Sequence, residues 1–164
     1  SVRCMLAEVF LPKATQSTTV ALAKSQLELE SCFQLRYEIL RRPWNQPIGS
    51  ERDDQEGTSW HFLAKNAQGD AIGTSRLQWL DDKRGQLRYM AVAEKYQGQG
   101  IGKQLIKAAE KQAAAIGMKS IFLQARENAV PFYLANGYRV VEKTFLLYDE
   151  IQHYSMEKQL SHTL

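Results

Sequence analysis

The distribution of apolar and polar positions predicts alternating strands and helices along the chain. Short apolar runs predict strands at Met5–Phe10 and Thr18–Leu22. A capping box begins at Ser25, and apolar positions spaced by three or four residues then predict a helix to about Arg42. The polar residues 44–58 follow, and we expect a loop that holds at most a short helix.

The rest of the chain predicts a mostly antiparallel sheet of the α+β class. Three strands joined by short turns come first, followed by a helix with one apolar face, a strand, a short helix and two last strands. The predicted strands are 60–65, 71–80, 86–92, 120–125, 138–143 and 152–158, and the predicted helices are 101–116 and 130–136. The order of strand, long helix and strand in the middle predicts one right-handed parallel βαβ crossover.

Composition and charge disfavour several classes of protein. The 164 residues predict a single domain over residues 1–164, and the net charge of +3 without a Lys/Arg block gives little reason to expect nucleic acid as a partner. No apolar run reaches the ~18 residues of a membrane span, and the first residues lack a signal-peptide pattern. Cys4 and Cys32 lack metal-ligand spacing, so we expect reduced thiols in a cytoplasmic protein without metal or membrane association.

Three glycines lie between the third strand of the meander and the long helix, in the segment Gln97-Gly98-Gln99-Gly100-Ile101-Gly102. Glycines permit close approach of a ligand to the main chain. The first turn of a helix also has N–H groups without partners and the positive end of the helix dipole. The segment therefore predicts a site for a phosphate or pyrophosphate.

Two common phosphate-binding patterns do not fit this segment. A Walker loop has a Gly five residues before its Gly-Lys pair and a Ser or Thr after it, whereas Gly102-Lys103 has Gln97 and Gln104 there. A Rossmann pattern requires a third glycine where this chain has Lys103 or Leu105.

The pattern that remains, Q-x-x-G-x-G, resembles the acetyl-coenzyme A loop of the GNAT superfamily, the GCN5-related N-acetyltransferases. Gln97, Gly100 and Gly102 fill its fixed positions. A second segment resembles another GNAT element, although Pro131 replaces the alanine of the family; its matching residues are Asn128, Phe132, Tyr133, Gly137 and Tyr138. The resemblance is greatest to the ElaA/YjcF-type bacterial subgroup, through Leu35-Arg36, His61 and the segment Ile151-Gln152-His153-x-x-Met156.

The resemblance covers residues 22–158 and implies the GNAT fold, also called the acyl-CoA N-acyltransferase fold, with a twisted sheet, two splayed strands and flanking helices. It implies acetyl-coenzyme A as co-substrate, with the pantetheine arm on the strand before the glycines and the pyrophosphate on the main-chain amides from Gln97 or Gly98 to Lys103. The residues expected to bind it are Met90, Ala91, Val92, Gln97, Gly98, Gln99, Gly100, Ile101, Gly102, Lys103, Asn128 and Phe132.

Tyr133 occupies the position of the family's tyrosine acid, which protonates the departing thiolate; the alternative is a core aromatic residue with a satisfied hydroxyl. The N–H of Val92 is the expected donor to the oxyanion. Asn128 either contacts the pantetheine region or caps the following helix. His61 and His153 each adjoin an apolar strand, where a histidine is either a hydrogen-bonded structural residue or a base.

The resemblance places the acceptor against the first helix, the loop after it and the last strands. The expected substrate residues are Tyr37, Trp44, Trp60, His61 and His153. The acidic residues of segment 51–56 either steer a cationic amine toward the site or are a solvated charge run. Dimers are frequent in the family, so a homodimer is the assembly that the resemblance suggests.

Three functions follow from these observations. The favoured one is an acetyl-coenzyme A-dependent N-acetyltransferase that acts on a small-molecule or peptide amine. The second is a non-catalytic acyl-coenzyme A binding or sensing module on the same fold. The third, a generic nucleotide-phosphate binder, is disfavoured by the failed Walker and Rossmann patterns.

Overall fold

One seven-stranded sheet forms the centre of residues 17–161, the part of the chain that the computed structural model describes. Its strands are β1 Thr19–Leu22, β2 Trp60–Lys65, β3 Ala71–Trp79, β4 Arg84–Val92, β5 Ser120–Arg126, β6 Arg139–Leu147 and β7 Ile151–Gln159. The order across the sheet is β1-β2-β3-β4-β5-β7-β6, and β4 and β5 pair in parallel while the other pairs are antiparallel. The predicted α+β fold with a central parallel crossover is confirmed, and the predicted strand Met5–Phe10 lies outside the described residues.

Three α-helices flank the sheet: α1 Gln26–Arg36, α2 Ile101–Ala115 and α3 Val130–Ala135. The capping box that starts α1 is formed as predicted, because Ser25 and Glu28 each accept the other's main-chain N–H through their side chains. The helix predicted to reach about Arg42 is helical to Arg41, but it is an α-helix only to Arg36. The chain continues there as a π-helical turn, Tyr37–Arg41, in which the N–H of Arg42 bonds to the carbonyl of Tyr37.

The two longer helices bury chemically different surfaces. The apolar face of α2 packs on the middle strands, where Gly73 of β3 makes room for it: a Cβ there would lie 3.0 Å from the side chains of Ile101 and Leu105. Under α1 the buried residues include Cys32, Phe33 and a fully buried Arg36. An arginine in this position requires a buried anionic partner, and the structure provides one, described below.

The strand β4 is irregular on one side and unpaired on the other. Tyr89 and Met90 oppose the single residue Ser75 of β3, which makes a bulge, and Tyr89 has a φ of 55°. Toward β5, the parallel pairing ends at Leu87↔Leu123. Beyond that point β5 continues beside β7, and residues 88–92 of β4 have no paired strand on this side within the described part. The predicted splayed strands are therefore observed.

None of the helices in residues 17–161 is long and apolar enough to cross a membrane.

Candidate active site

The divergence of β4 and β5 opens a cleft of about 460 Å³, a size common for small-molecule sites. The π-helical turn, α3, β6 and β7 complete its walls. Four of the predicted site residues line the cleft together: Met90, Phe132, Tyr133 and His153.

Residues 97–103, called the glycine turn below, present a series of accessible main-chain donors. Gly98 and Gly100 have φ angles of 77° and 82°, which favour glycine, and a Cβ at either position would meet nothing within 4 Å. Gly100 is the N-cap of α2, and no side chain caps the helix. The N–H groups of residues 98–103 have no hydrogen-bond acceptor among the described residues. These six donors make an anion site, whereas the N–H of Gln97 is already bonded to the carbonyl of Glu94 over 3.3 Å.

Gln97 connects this turn to the open edge of β4. Its side-chain amide donates to the carbonyl of Val92 over 3.0 Å. The next N–H, that of Ala93, donates to Ile72 of β3 over 2.8 Å. Successive residues of a strand direct their main-chain groups to opposite edges, so the N–H of Val92 points to the side that β5 has left. The N–H expected to bind the oxyanion is therefore directed into the gap between the strands.

The remaining predicted cofactor residues differ in their placement. Ala91 and Ile101 are buried in the core, so neither offers its side chain to a ligand. Next to Val92, Ala91 directs its main-chain groups to β3, and its contact with the cofactor stays a prediction. Gln99 and Lys103 are exposed. Asn128 is also exposed, in a 3₁₀ turn, and Ala129 is the N-cap of α3 without a side-chain cap. The interpretation of Asn128 as a helix cap is thus wrong, and its contact with the cofactor stays a prediction.

Phe132 and Tyr133 bring α3 against the start of α2. A Cβ at Gly102 would lie 3.0 Å from the Phe132 ring, so this glycine allows the two helices to approach. The rings of Phe132 and Tyr133 meet edge to face at a centroid distance of 5.1 Å. The glycine turn therefore has a direct packing connection to the tyrosine in the cleft.

The Tyr133 hydroxyl has the properties of a proton donor. The residue is 7% exposed and lines the cleft, and its hydroxyl has no hydrogen-bond partner among the described residues. The hydroxyl of neighbouring Tyr138, by contrast, donates to Glu110 over 3.2 Å. Burial raises the pKa of Tyr133, which keeps the phenol protonated at neutral pH. The alternative of a satisfied core hydroxyl does not describe Tyr133.

His153 lies in the cleft with one ring nitrogen available. Its Nδ1 lies 2.9 Å from the carbonyl oxygen of Ile151, and since a carbonyl only accepts, Nδ1 carries the proton. The ring stacks on Phe145 at a centroid distance of 4.3 Å. Burial lowers the pKa of His153, so the neutral form dominates at neutral pH. Its Nε2, without a partner in the described part, then has a free lone pair.

His61 is a structural residue outside the cleft lining. Arg36 donates to its Nδ1 over 3.0 Å, and its Nε2 donates to the carbonyl of Glu56 over 2.8 Å. Both nitrogens are thus engaged, and burial lowers the pKa of the ring. The structure separates the two histidines, and only His153 keeps the geometry of a base.

Three predicted substrate residues also lie outside the cleft lining. Trp60 packs against the main core, and the Trp44 ring lies 6.3 Å from that of Tyr148 in the turn between β6 and β7. Tyr37 begins the π-helical turn, three positions before Leu40, the first residue of the turn that lines the cleft. Contact of these three side chains with an acceptor stays a prediction.

In the acidic segment 51–56, the carboxylates of Asp53 and Glu56 form neither a steering surface nor a solvated charge run. Arg76 binds Asp53 through two hydrogen bonds of 2.8 and 2.9 Å. Oε1 of Glu56 lies 2.9 Å from the guanidinium groups of both Arg36 and Arg76. The hydrogen bond from Arg76 lowers the pKa of Asp53 to about 2. Both readings of the sequence are corrected here, because buried arginines of α1 and β3 neutralise these carboxylates.

Two further contacts complete this correction. Glu51 is buried and accepts the N–H of Gly49, and Asp54 alone of the four acidic residues is exposed. No sequence-local signal joins Arg76 to Asp53, which precedes it by 23 residues. An arginine near the centre of a predicted strand, between Ser75 and Leu77, was the available hint of a buried partner.

In residues 17–161, no three His, Cys, Asp or Glu side chains are grouped so that they could hold a metal ion.

Comparison with known proteins agrees with this geometry. The model of the Acetyltransferase (GNAT) family matches residues 28–138, more than half of the chain. An uncharacterized N-acetyltransferase of Bacillus subtilis (strain 168), YjcF, is 32% identical over 137 residues, which are 84% of this chain and 96% of the relative.

Solved structures share the fold at lower identity. A protein of Lactobacillus plantarum described as an N-acetyltransferase has a TM-score of 0.79 at 23% identity, over 88% of this chain and 99% of the other. Escherichia coli ElaA has a TM-score of 0.72 at 20% identity, over 88% and 99%. A GNAT family acetyltransferase of Elizabethkingia anophelis, solved with acetyl-CoA bound, has a TM-score of 0.70 at 17% identity, over 87% and 98%. With a family model that spans most of the chain and a relative of this identity and coverage, the chain belongs to the GNAT family of acetyltransferases.

Proposed function

We propose that this chain is an acetyl-coenzyme A-dependent N-acetyltransferase that acetylates a primary amine by direct attack in a ternary complex. One observation carries the proposal: the unbonded Tyr133 hydroxyl and the open edge of β4 share a single cleft. The acceptor is a small-molecule or peptide amine. A homodimer stays a prediction from the family.

The residues of the glycine turn fit the co-substrate. Acetyl-coenzyme A supplies an acetyl group activated as a thioester. The free N–H groups of residues 98–103 suit its diphosphate, and the open space over Gly98 and Gly100 admits it. The unpaired edge of Met90–Val92 offers main-chain donors and acceptors to an extended chain that carries amides, as a neighbouring strand would.

Three groups of the protein then act on protons and charge. The Nε2 of His153 accepts a proton from the amine, directly or through water. The Val92 N–H donates to the oxygen on which negative charge develops. Tyr133 gives its proton to the departing sulfur, a role for which its raised pKa keeps it protonated. The cleft holds the reacting groups together, which supplies the proximity that an amine and a thioester lack in solution.

The alternative function is a module that binds acyl-coenzyme A without catalysis. Such a module needs the glycine turn and the strand edge, but it has no use for a buried phenol without a partner or for a neutral histidine with a free nitrogen. Both groups lie in the cleft, and they favour the enzyme.

Two measurements test the proposal. Calorimetric titration with coenzyme A is expected to show binding, and no binding at millimolar ligand would refute both functions. Release of free thiol from acetyl-coenzyme A, measured across polyamines, amino sugars, amino acids and peptides, is expected for at least one amine. Binding of coenzyme A without thiol release above the rate of the protein-free control for any amine would favour the binding module.

A further inference from the structure

Two arginines converge on one carbonyl at the side of the cleft formed by the π-helical turn and β5. Arg41 Nη1 and Arg126 Nη2 both donate to the carbonyl oxygen of Leu40, over 3.1 and 3.3 Å. Arg41 also donates from Nε to the carbonyl of Ser50 over 3.1 Å. A guanidinium has five N–H donors, so most donors of this pair remain available.

Neither arginine has a carboxylate partner. Among residues 17–161 no Asp or Glu oxygen lies within 4.0 Å of Arg41 or Arg126. Arg88, the third arginine of the cleft, does have one, since its Nη1 lies 3.3 Å from Asp53. The unpaired state of Arg41 and Arg126 is therefore a local property and not a feature of the whole cleft.

The cleft itself is cationic. Its lining contains the three arginines Arg41, Arg88 and Arg126 but, among the described residues, no Asp or Glu. Burial lowers the pKa of Arg126, and the positive charge of Arg41 lowers it further. Two like charges held together in a half-buried site are unfavourable, and a bound anion removes this cost.

The co-substrate's diphosphate does not explain this pair. The donors that suit a diphosphate belong to residues 98–103, and no residue of that turn lines the cleft. Arg41 belongs instead to the π-helical turn that continues α1, and Arg126 of β5 donates to the carbonyl of Leu40 in that turn. The two cationic features therefore serve different groups.

We propose that the acceptor carries an anionic group, a carboxylate or a phosphate, beside its amine, and that Arg41 and Arg126 bind this group. The inference rests on the proposed N-acetyltransferase function and narrows its substrate class. It reverses the expectation of an acceptor steered by acidic residues, because Asp53 and Glu56 are occupied by Arg76 and Arg36. A cleft of about 460 Å³ suits a small molecule of this kind.

Matched pairs of amines test the proposal in the intact protein. Alanine is compared with alaninamide, and phosphoethanolamine with ethanolamine, by kcat/KM for thiol release. We expect roughly 10- to 100-fold higher values for the anionic member of at least one pair, the gain of hydrogen bonds to a charged group. The pair that shows the preference identifies carboxylate or phosphate.

Variants then assign the preference to the arginines. R41Q and R126Q are each expected to lose this preference, because kcat/KM should fall much more for the anionic member of the pair than for the neutral member. R42Q is the control, because Arg42 is exposed and paired with Glu38 at 2.9 Å. If R126Q unfolds, R126K keeps the charge without the planar fork, and a reduced preference is expected. Equal rates for both members of both pairs in the unmodified protein, or a preference that survives in both glutamine variants, would overturn the inference.

A binding measurement separates this inference from the proposed function. Calorimetric titration of the coenzyme A-bound protein with alanine or phosphoethanolamine requires no turnover. Binding that depends on Arg41 and Arg126 without acetyl transfer would refute the enzyme and retain the anion site. Acetyl transfer to neutral amines alone would support the enzyme and refute the anion site.

Discussion

The side-chain amide of Gln97 donates to the main-chain carbonyl of Val92 over 3.0 Å. This bond attaches the glycine turn to the edge of β4 that β5 leaves unpaired. It occupies the Val92 carbonyl and leaves the N–H of the same residue directed into the gap. The fixed glutamine of the motif thus positions the turn relative to the strand.

Replacement of Gln97 by Leu removes this attachment. We expect coenzyme A affinity to fall about tenfold, because the turn no longer has a fixed position, while stability falls by about 1 kcal/mol. Calorimetry and urea unfolding measure the two effects. Gln99→Leu is the control, since the Gln99 side chain donates to the carbonyl of Lys95 in the preceding 3₁₀ turn, Glu94–Tyr96, and does not reach β4. Equal affinity in the two variants would remove this role of Gln97.

Gly100→Ala tests the glycine turn, and Gly69→Ala, in the turn between β2 and β3, is its control with the same backbone strain. Gly100 and Gly69 have φ angles of 82° and 84°, and a Cβ at either would meet nothing within 4 Å. Both alanine variants should therefore lose about 1 kcal/mol of stability. Only Gly100→Ala should also lose coenzyme A affinity, about tenfold or more, because its methyl group enters the space over the free N–H groups. Comparable affinities in the two variants would contradict the site.

Tyr133→Phe removes the hydroxyl that is the proposed acid. Because this hydroxyl has no hydrogen-bond partner among the described residues, the substitution breaks no hydrogen bond. We expect turnover to fall about 100-fold, with coenzyme A affinity and stability close to those of the parent. Tyr138→Phe is matched to it, because its ring packs against Tyr133 at 5.8 Å while its hydroxyl bonds to Glu110. That variant should lose about 1 kcal/mol of stability and little turnover. Unchanged turnover in Tyr133→Phe would return the residue to a packing role.

The pH dependence of turnover tests His153. Burial lowers its pKa below the ordinary 6.5, so the base form is present at neutral pH and is lost as pH falls through the lowered value. The ratio of rates for parent and His153→Gln cancels the ionisation of the acceptor. We expect a ratio of about 100 at neutral pH that decreases in acid. A ratio that does not change with pH would exclude His153 as the base.

Asp53→Asn tests the ion pairs under α1. The pKa of Asp53 is about 2 in the folded protein, below its ordinary 3.8, because Arg76 bonds to the carboxylate. The ionised carboxylate therefore adds stability above pH 3.8, and this contribution disappears as pH falls from about 4 toward 2. We expect Asp53→Asn to lower the free energy of unfolding by about 1–2 kcal/mol at pH 7. This value is smaller than the pKa shift alone would give, because Asp53 is partly exposed to solvent.

Urea unfolding at pH 7, 4 and 2.5 measures this difference between parent and variant, which should shrink in acid. Asp54→Asn is the control, because Asp54 is exposed and accepts only a long bond from the Gln55 side chain. A cost for Asp53→Asn that is constant with pH would rule out the proposed linkage.

Local patterns predicted most of the fold. The capping box at Ser25 and the strand 60–65 appear in the structure with the predicted bounds, since each depends on neighbouring residues alone. The crossover from β4 to β5 follows from the handedness and order of its elements. The glycine turn could also be predicted from the sequence, because the glycines themselves permit its backbone geometry.

Contacts between distant segments were not predictable in the same way. The bonds of Arg36 and Arg76 to segment 51–56 join residues 20 or more positions apart, and a scale of polarity assigns each of these charges to the surface. The bulge at Tyr89 depends on the register of two strands, which no local pattern reports. The roles of His61 and His153 likewise became clear only from their hydrogen-bond partners. Sequence placed His61 and His153 in one group, and their hydrogen bonds distinguish them.

Hydrogen exchange at the open edge of β4 can report whether a ligand fills the cleft. The amide proton of Val92 faces the gap, so in the unliganded protein it should exchange rapidly with deuterium, whereas the adjacent Ala93 proton is held by Ile72 and should exchange slowly. A ligand that lies along the strand covers the first amide and leaves the second as it was. The ratio of two neighbouring exchange rates therefore measures filling of the cleft without any assay of catalysis.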